Sequence, residues 1–460
     1  LMIYFFQKSE NQFFAVGTKN DLLEKDFDTL SWLFSGAPRM TNDTIEGQFI
    51  GPRKEMITPW STNAVEIAEN CGVQGIDRIE SFLKTNALLH FDPMLQARYD
   101  RLDQHLYTLD IKPEPIVPVE DISAYNDAEG LALSIEEIAF LDSVSAEIGR
   151  PLTDSEIFGF SQINSEHCRH KIFNGKFVID GQEQEKSLFE WIKRTSLEHP
   201  NLIVSAYKDN VAFVKGPIVE QFAPKTQDKP DFFEIKDFES VISLKAETHN
   251  FPTTVEPFNG AATGAGGEIR DRLAGGQGSF PLAGTAVYMT SYPRTEESRS
   301  WEKNRKERKW LYQTPSEILV KASNGASDFG NKYGQPLICG SLLTFEHEEN
   351  EKIHGFDKVI MLAGGIGFAK RKNAKKQRVE KGEKIIVLGG ENYRIGMGGG
   401  AVSSVATGEF KNSLELNAVQ RSNPEMQKRA ANAIRALSEL DENPIVSIHD
   451  HGAGGHLNCL

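Results

Sequence analysis

The chain has 460 residues, of which 39% are hydrophobic and 25% are charged, and its formal net charge is −14. A chain of this length is expected to form about two to four domains, and its acidic balance argues against nucleic acid and anionic membranes as partners. Four cysteines without a CxxC pair exclude a disulfide scaffold, and no apolar stretch suits a signal peptide or a membrane span, so we expect a cytoplasmic protein.

The first 110 residues predict a small mixed domain. Ile3–Gln7 and Phe13–Val16 are rich in aromatic and β-branched residues, which favours strands. Asn63–Cys71 has the apolar spacing of a helix and is followed by Gly72, and Met94–Leu109 repeats apolar residues along one helical stripe. These elements indicate a β/α sandwich.

The segment Lys112–Pro118 marks a linker, because its three prolines prevent a helix or a central strand. Two helices are predicted after it, each beginning at a capping box in which a Ser or Thr and a Glu three residues later satisfy each other's backbone groups. The two boxes are Ser134 with Glu137 and Thr153 with Glu156, and strands are predicted at Phe177–Ile179 and Val211–Val214.

The segment Ser165–Lys171 is a candidate catalytic site that contains His167, Cys168 and His170. A zinc site would need a second ligand pair, which is not nearby, and a nucleophilic cysteine would need an activating base. Charged neighbours beside two histidines at a helix end favour instead a site in which either histidine donates to a reacting oxygen or a phosphate.

From residue 233 onward, apolar segments that run into polar or glycine-rich stretches indicate α/β organisation, with ligand-facing loops at strand ends. Strands are predicted at Val241–Leu244, Val359–Leu362, Ile385–Leu388 and Ile445–Ile448, and a helix at Asn423–Leu440.

The segment that starts at Lys245 directly follows a predicted strand. Lys245, Glu247 and His249 alternate onto one side, and Phe251 joins them if the strand continues. A lysine, a carboxylate and a histidine on one face suit an anionic substrate with a metal ion.

A glycine-rich stretch, Asn259–Asp271, comes next, and its backbone N–H groups could approach a phosphate as nests and helix N-termini do. Arg270 adds a guanidinium for a phosphate or carboxylate, and Asp271 adds an oxygen ligand for Mg²⁺. The alternative interpretation is a glycine-rich turn with a surface charge cluster.

Other nucleotide fingerprints fit poorly. No GxxxxGK[ST] loop occurs, and Gly396–Ala401 matches GxGxxA too far after the predicted strand for a dinucleotide site. Asp450 stands at a predicted strand end before Gly452–Gly455, which suits Mg²⁺, whereas a zinc pair of His449 and His451 lacks a third ligand. Together the motifs predict ATP·Mg²⁺ chemistry on a phosphorylated or carboxylated substrate.

Five of these segments resemble the large single-chain form of phosphoribosylformylglycinamidine synthase, also called formylglycinamide ribonucleotide amidotransferase. They are Ser165–Asn174, Glu247–Asn250, Gly260–Asp271, Met361–Gly367 and Ile448–Gly455, and Thr58–Ser61 and Ala206–Asn210 add to the resemblance outside the site. The resemblance spans essentially the whole chain but covers only the front of the family's architecture.

The resemblance implies an α/β and α+β multidomain fold with a β/α sandwich N-terminal domain at 1–115 and a helical linker domain at 116–230. Subdomains like those of aminoimidazole ribonucleotide synthetase would follow at 231–370 and 371–460, the second one incomplete. The implied reaction belongs to purine biosynthesis: ATP phosphorylates the amide oxygen of formylglycinamide ribonucleotide, and glutamine-derived ammonia displaces phosphate to give formylglycinamidine ribonucleotide.

The resemblance also implies roles for individual residues. His167 and His249 would be catalytic, and Glu247, Asp271 and Asp450 would bind Mg²⁺. The substrate contacts would be Thr248, His249, Asn250, Arg270 and Gln420. The ATP site would be formed by Lys245, Gly260, Ala261, Ala262, Thr263, Gly264, Ala265, Gly266, Gly267, Glu268, Ile269, Arg270 and Asp271.

Some features depart from the family. Phe251 stands where the family often has His, and His451 and His456 replace residues that are usually apolar. The second pseudo-symmetric half and the glutaminase domain are missing, so we expect a fragment that cannot use glutamine and is inactive by itself. The alternative hypothesis is a non-catalytic regulatory fragment that binds a nucleotide or metabolite, and misplaced glycines argue against an NAD-dependent oxidoreductase.

Overall fold

The N-terminal part of the chain forms an antiparallel sheet with a core on each side. The structure is a computed structural model that describes residues 2–54, 57–85, 91, 96–109, 115–165, 170–226, 229–295, 299–303, 313–389, 422–452, 455 and 459. The strands of the first sheet are β1 (Met2–Ser9), β2 (Gln12–Thr18), β3 (Ile45–Pro52), β4 (Ile76–Lys84) and β5 (Gln96–Leu102). Their order in the sheet is β1-β2-β4-β3-β5.

Helices α1 (Glu24–Leu33) and α2 (Pro59–Asn70) cover one face of this sheet. Adjacent phenylalanines of β1 pack on opposite faces of the sheet, because successive side chains of a strand point in opposite directions. Phe6 lies in the core beneath the helices, whereas Phe5 lies in the core of the other face. The predicted strands at Ile3–Gln7 and Phe13–Val16, the helix at Asn63–Cys71 and the β/α sandwich are confirmed.

The helix predicted over Met94–Leu109 is wrong, because Gln96–Leu102 is the strand β5. A register shift between Glu46 and Phe49 of the partner strand interrupts the alternation of the ladder. Tyr99 and Leu102, three residues apart, consequently contact the same core. A strand that pairs across a bulge in its neighbour β3 thus had the spacing of a helical stripe.

The next part of the chain is mainly helical. The capping boxes of α4 and α5 are both confirmed: Glu137 N donates to Ser134 Oγ over 3.2 Å, and Glu156 N donates to Thr153 Oγ1 over 3.3 Å. The described elements here are β6 (Pro118–Val119), α3 (Ile122–Glu129), α4 (Ile135–Ile148), β7 (Leu152–Thr153), α5 (Asp154–Ile163), β8 (Val178–Ile179), β9 (Gln182–Glu183) and α6 (Leu188–Glu198).

A six-stranded mixed sheet dominates the remainder of the chain, with the order β10-β11-β12-β17-β13-β14. The pair β13 and β14 is parallel, and the other neighbours are antiparallel. Its strands are β10 (Ile203–Ser205), β11 (Ala212–Pro224), β12 (Phe233–Thr248), β13 (Phe280–Thr290), β14 (Leu337–Thr344) and β17 (Ile360–Lys370), and β15 (Glu346–Glu349) with β16 (Lys352–Gly355) forms a separate hairpin.

Helices pack on this sheet and form a large apolar core with it. Ala261, Ala265 and Ile269 of one helix contact Ala326 and Phe329 of another within that core. The helices of this part are α7 (Asn250–Val255), α8 (Pro257–Leu273), α9 (Ser300–Lys303), α10 (Pro315–Tyr333) and α11 (Pro424–Ser438), and a 3₁₀ turn spans Arg371–Asn373.

Two predicted strands of this part are wrong. Ile385–Leu388 and Ile445–Ile448 are both described without strand structure. Ile385 is 76% exposed, whereas Ile445 and Ile448 pack against the large core without joining a ladder. Local apolar character therefore did not determine pairing. Strands at Val241–Leu244 and Val359–Leu362 and the helix at Asn423–Leu440 are confirmed by β12, β17 and α11.

The chain thus has the mixed α/β architecture that the sequence predicts, while the domain boundaries stay a prediction. The strand β11, which precedes the expected boundary at 230–231, pairs along most of its length with β12. In the part of the chain that the structure describes, no helix combines the length and apolar character needed to cross a membrane.

Candidate functional site

The candidate site lies where β12 passes into α7 and α8. Lys245 and Glu247 share one face of β12, as predicted, but the strand ends at Thr248. Phe251 therefore does not join them: it belongs to α7 and is 1% exposed. The turn is fixed by Asn250, whose Oδ1 accepts a hydrogen bond from Met361 N over 3.1 Å.

Lys245 links two acidic side chains that come from different elements. Its Nζ lies 2.9 Å from Glu247 Oε2 and 2.6 Å from Asp271 Oδ2, the latter near the end of α8. Burial disfavours the charged form of Lys245, but the two carboxylates outweigh it and raise its pKa. The lysine therefore stays protonated at neutral pH.

The whole glycine-rich segment Gly260–Asp271 lies inside α8 rather than in a loop, and its contact with ATP stays a prediction. All of its residues except Gly267 and Arg270 are buried. Most of its backbone N–H groups are therefore used within the helix and cannot form a nest. Helical structure over this segment also means that its residues present side chains, rather than backbone, to the site.

Close packing explains the glycines instead. A Cβ on Gly264 would lie 2.9 Å from the Cβ of His249, and one on Gly266 would lie 2.6 Å from Cζ of Phe329. Real Cβ atoms do not approach other atoms so closely, so these glycines let α8 approach its neighbours. Gly267 is different, since a Cβ there would meet only the Arg270 guanidinium, at 3.6 Å.

Glu268, predicted to contact ATP, is held inside the protein. Its carboxylate accepts hydrogen bonds from Arg272 Nε over 2.8 Å and from Gln335 Nε2 over 2.7 Å, and it is 1% exposed. Burial raises the pKa of Glu268 to about 7. Its described contacts join α8 to the segment before β14.

Two predicted magnesium ligands, Asp271 and Asp450, are brought together. Their carboxyl groups are hydrogen-bonded to each other, and Asn210 Nδ2 lies 3.4 Å from Oδ1 of each. Arg270 Nε is 3.5 Å from Asp450 Oδ2. A cluster of alternating charge thus runs from Glu247 through these residues to Arg270.

The two aspartates differ in their tendency to ionise. Burial and the neighbouring charge of Asp450 raise the pKa of Asp271 to about 8. Burial also acts to raise the pKa of Asp450, but Arg270 and the hydrogen bond from Asp271 lower it overall. At neutral pH the pair therefore carries one proton, held mainly on Asp271.

The predicted catalytic histidine His249 lies between β12 and α7. Its Nδ1 is 2.5 Å from Gly260 O, and its backbone N–H donates to Met361 O over 3.0 Å. A carbonyl is only an acceptor, so Nδ1 carries the proton in this contact. The ring is thereby held against the start of α8.

The remaining predicted residues are scattered or outside the described residues. Thr248 is exposed at the end of β12, and His170 stacks on Phe189 with ring centroids 5.7 Å apart. Lys171 Nζ donates to Glu137 Oε1 over 2.8 Å. His167, Cys168, Gln420 and the segment Gly396–Ala401 lie outside the described residues.

Two residues of the cluster, Asn210 and Gln427, were not predicted from the sequence. Asn210 belongs to the motif Ala206–Asn210, which was expected to lie outside the site, but the structure places its amide between the two aspartates. Gln427 of α11 accepts from Arg270 Nη1 over 3.4 Å and donates to Gly266 O over 3.0 Å. Gln427 carries neither a charge nor a motif signal, and the motif that contains Asn210 did not indicate that this residue lies in the site.

Among the described residues, no group of three or more His, Cys, Asp and Glu side chains is arranged to hold a metal ion. The Asp271–Asp450 pair nevertheless supplies hard oxygen donors, which Mg²⁺ prefers. A divalent cation would replace the proton that the pair shares at neutral pH, because its charge stabilises both carboxylates in the ionised form. These two residues fit Mg²⁺, while Lys245 stands between Glu247 and Asp271.

Three family models match parts of this chain. Residues 11–108 match the formylglycinamide ribonucleotide amidotransferase N-terminal model, and residues 122–171 match the linker domain model of the same amidotransferase. Residues 380–460 match the C-terminal domain model of AIR synthase related protein.

Solved structures from Thermotoga maritima are also similar. PurL complexed with FGAR is 23% identical with a TM-score of 0.44, and the match covers 70% of this chain and 40% of that one. PurL complexed with ATP is 21% identical with a TM-score of 0.41, covering 70% and 39%. PurLQS is 20% identical with a TM-score of 0.40, covering 70% and 38%. The chain therefore spans about 40% of the length of these relatives.

Proposed function

We propose that this chain belongs to the formylglycinamide ribonucleotide amidotransferase family, whose N-terminal and linker models it matches, and that it forms the front part of an ATP-dependent C–N ligase of purine biosynthesis. The proposed reaction converts formylglycinamide ribonucleotide to formylglycinamidine ribonucleotide, with ATP activating the amide oxygen. The ammonia would come from glutamine through a glutaminase domain, and the setting would be the cytoplasm.

The observation that carries this proposal is the half-buried charge cluster at the end of β12. Lys245, Asp271 and Arg270 come from two elements and lie within ion-pair or hydrogen-bond distance of further acidic groups. Cations beside paired carboxylates suit the phosphates of a nucleotide bound with Mg²⁺. A purely structural ion pair would not require two carboxyl groups in mutual contact.

We assign Asp271 and Asp450 as the residues that would hold Mg²⁺, with Glu247 as a candidate third ligand. Mg²⁺ usually keeps several water molecules and takes one or two carboxylates plus substrate phosphates, so two aspartates suffice. When bound, the ion would offset the negative charge of the phosphates.

The chain's own residues would bind and orient the substrates. Arg270 would bind an anionic group of the ribonucleotide, and Lys245 would bind a phosphate of ATP. The Nδ1 contact with Gly260 orients the ring of His249, so we assign proton exchange with the substrate to its Nε2. His167 as a second catalytic residue, and Thr248, Asn250 and Gln420 as substrate contacts, remain part of the proposal.

The first experiment is calorimetric titration of this chain with ATP in the presence of Mg²⁺. Asp271→Asn preserves the shape of the side chain but removes its ionisable oxygen, and we expect the affinity to fall by about tenfold or more. Asp142→Asn, on the exposed face of α4, is the matched control and should leave the affinity unchanged. Equal affinities for wild type and Asp271→Asn would overturn the assignment of the site.

A further inference from the structure

The loop that carries Asn210 is tied firmly to the mixed-sheet part of the chain. Asp209 Oδ2 accepts a hydrogen bond from Gly276 N over 2.9 Å, and Asp209 Oδ1 lies 2.8 Å from Lys376 Nζ. The backbone N–H of Asn210 also donates to Asp209 Oδ1 over 2.8 Å. Asn210 is therefore presented from a fixed backbone position rather than from a freely moving loop.

The amide of Asn210 contacts both aspartates through one atom. Its Nδ2 donates to Oδ1 of Asp271 and to Oδ1 of Asp450, each over 3.4 Å. The two aspartates lie about 180 residues apart in sequence and belong to different segments. The two aspartates are thus connected in two ways, by the hydrogen bond between their carboxyl groups and by this neutral amide.

We propose that Asn210 is a positioning residue, which holds Asp271 and Asp450 at the separation at which the pair binds a divalent cation. This inference rests on the proposed function, because it takes the aspartate pair to be the cation site. It gives a role in the site to a residue whose motif was expected to lie outside the site.

The chemistry of an amide suits this task. The outer carboxylate oxygens already face cations: Asp271 Oδ2 lies 2.6 Å from Lys245, and Asp450 Oδ2 lies 3.5 Å from Arg270. A third cation between the inner oxygens would compete with the metal ion for the same negative charge. The amide N–H₂ group is neutral, and each carboxylate oxygen has a second lone pair, so Asn210 leaves the pair able to bind a cation.

The test is titration of this chain with Mn²⁺, followed by the loss of the free-ion electron paramagnetic resonance signal. Groups that orient metal ligands typically contribute 10–100-fold to metal affinity, so we expect Asn210→Ala to bind Mn²⁺ about tenfold more weakly than wild type. Asn210→Ser keeps a hydroxyl donor and should fall between the two. Asn70→Ala, exposed at the end of α2, is the control and should match wild type.

The outcomes separate this inference from the proposed function. If wild type binds Mn²⁺, Asp271→Asn loses binding and Asn210→Ala keeps full affinity, the positioning role is wrong while the cation site stands. If wild type binds Mn²⁺ neither alone nor in the presence of ATP, both are wrong. Circular dichroism melting without Mn²⁺ checks that each variant is folded. If Asn210→Ala is not folded, Asn210→Leu, which has a side chain of similar size and no donor, takes its place, and full wild-type affinity in Asn210→Leu overturns the role.

Discussion

At the scale of single residues, several carboxyl groups are buried where their charge is costly. Glu256 precedes α8 and is 6% exposed, and its carboxylate accepts a hydrogen bond from Asn259 N over 2.6 Å. Burial raises the pKa of Glu256 to about 7, against the opposing effects of that hydrogen bond and of Lys321. The start of α8 is therefore sensitive to pH near neutrality.

The pH dependence of stability should reveal Glu256. Because its pKa is raised from 4.5 to about 7 in the folded state, its contribution to stability is complete below pH 4.5 and is lost as the pH rises through 7. Glu256→Gln keeps an oxygen that can accept from Asn259 N. We expect this variant to exceed wild type in free energy of unfolding by about 1–3 kcal/mol at pH 8.5.

The measurement for Glu256 is urea unfolding at pH 5 and pH 8.5. The advantage of Glu256→Gln should be much smaller at pH 5, where the wild-type side chain is protonated in the folded state. Glu147→Gln, exposed on α4, should show the same difference from wild type at both values. A Glu256→Gln effect that does not change with pH would contradict this account.

At the scale of elements, the distinctive feature of α8 is its close packing against neighbouring elements. Gly266 faces Phe329 of α10, and Gly325 of α10 faces the backbone carbonyl of Phe258. Each helix thus contributes a glycine that allows the other helix to approach closely. Glycine is unfavourable in a helix by about 1 kcal/mol relative to alanine, a cost that this packing offsets.

Neighbouring glycines of α8 should respond oppositely to alanine. Gly266→Ala places a Cβ 2.6 Å from Phe329 Cζ, and overpacking of this kind costs about 1–3 kcal/mol. Gly267→Ala meets no atom closer than 3.6 Å and gains helix propensity, so it should be neutral or stabilising by up to about 1 kcal/mol. Chemical denaturation of both variants tests this, and equal destabilisation would show that Phe329 is not the cause.

The elements that were predictable are those whose signal is local. The capping boxes at Ser134 and Thr153 each satisfy backbone groups three residues away, so the sequence alone was sufficient. The strand at Gln96–Leu102 was mistaken for a helix because its spacing depends on a register shift opposite it. The strand predicted at Ile385–Leu388 is wrong because a strand needs a pairing partner, and a local sequence pattern does not show whether one is present.

The site was predictable to a similar extent. Lys245 and Glu247 follow from strand alternation, and the structure places them on one face with Asp271 close by. The conformation of the glycine segment was not predictable, since glycine permits both a phosphate-binding loop and a tightly packed helix. Asn210 was missed because its position depends on long-range contacts with Gly276 and the two aspartates.

At the scale of the whole molecule, α2 of the first sheet contacts the helices of the second. Lys332 Nζ of α10 donates to Asn63 Oδ1, and Glu66 hydrogen-bonds to Glu425 at the start of α11. Burial, Glu425 and Asp328 raise the pKa of Glu66 to about 7, while Lys332 acts to lower it. The contact therefore joins two carboxyl groups that share a proton.

This contact should weaken as the pH rises. The pKa of Glu66 is raised in the folded state, so the stabilisation is complete below pH 4.5 and is lost as the pH passes through 7. Hydrogen exchange of the amides of α2 should therefore accelerate relative to the amides of α4 between pH 6 and pH 8, after correction for the intrinsic rate.

Glu66→Gln should abolish that difference, whereas Glu69→Gln, exposed on the same helix, should retain it. Persistence of the acceleration in Glu66→Gln would rule out the carboxyl pair as its origin.

The buried glycines of α8 also bear on how such chains are recognised. A series of glycines beside a lysine and an aspartate resembles a nucleotide-binding motif. Gly260, Gly264 and Gly266 are nevertheless needed because a Cβ at any of them would clash with a neighbouring element. A relative that had lost Lys245 and Asp271, and with them the proposed chemistry, would still require the glycines to fold. The motif is therefore a signature of shape, and competence for catalysis has to be judged from the charged residues around it.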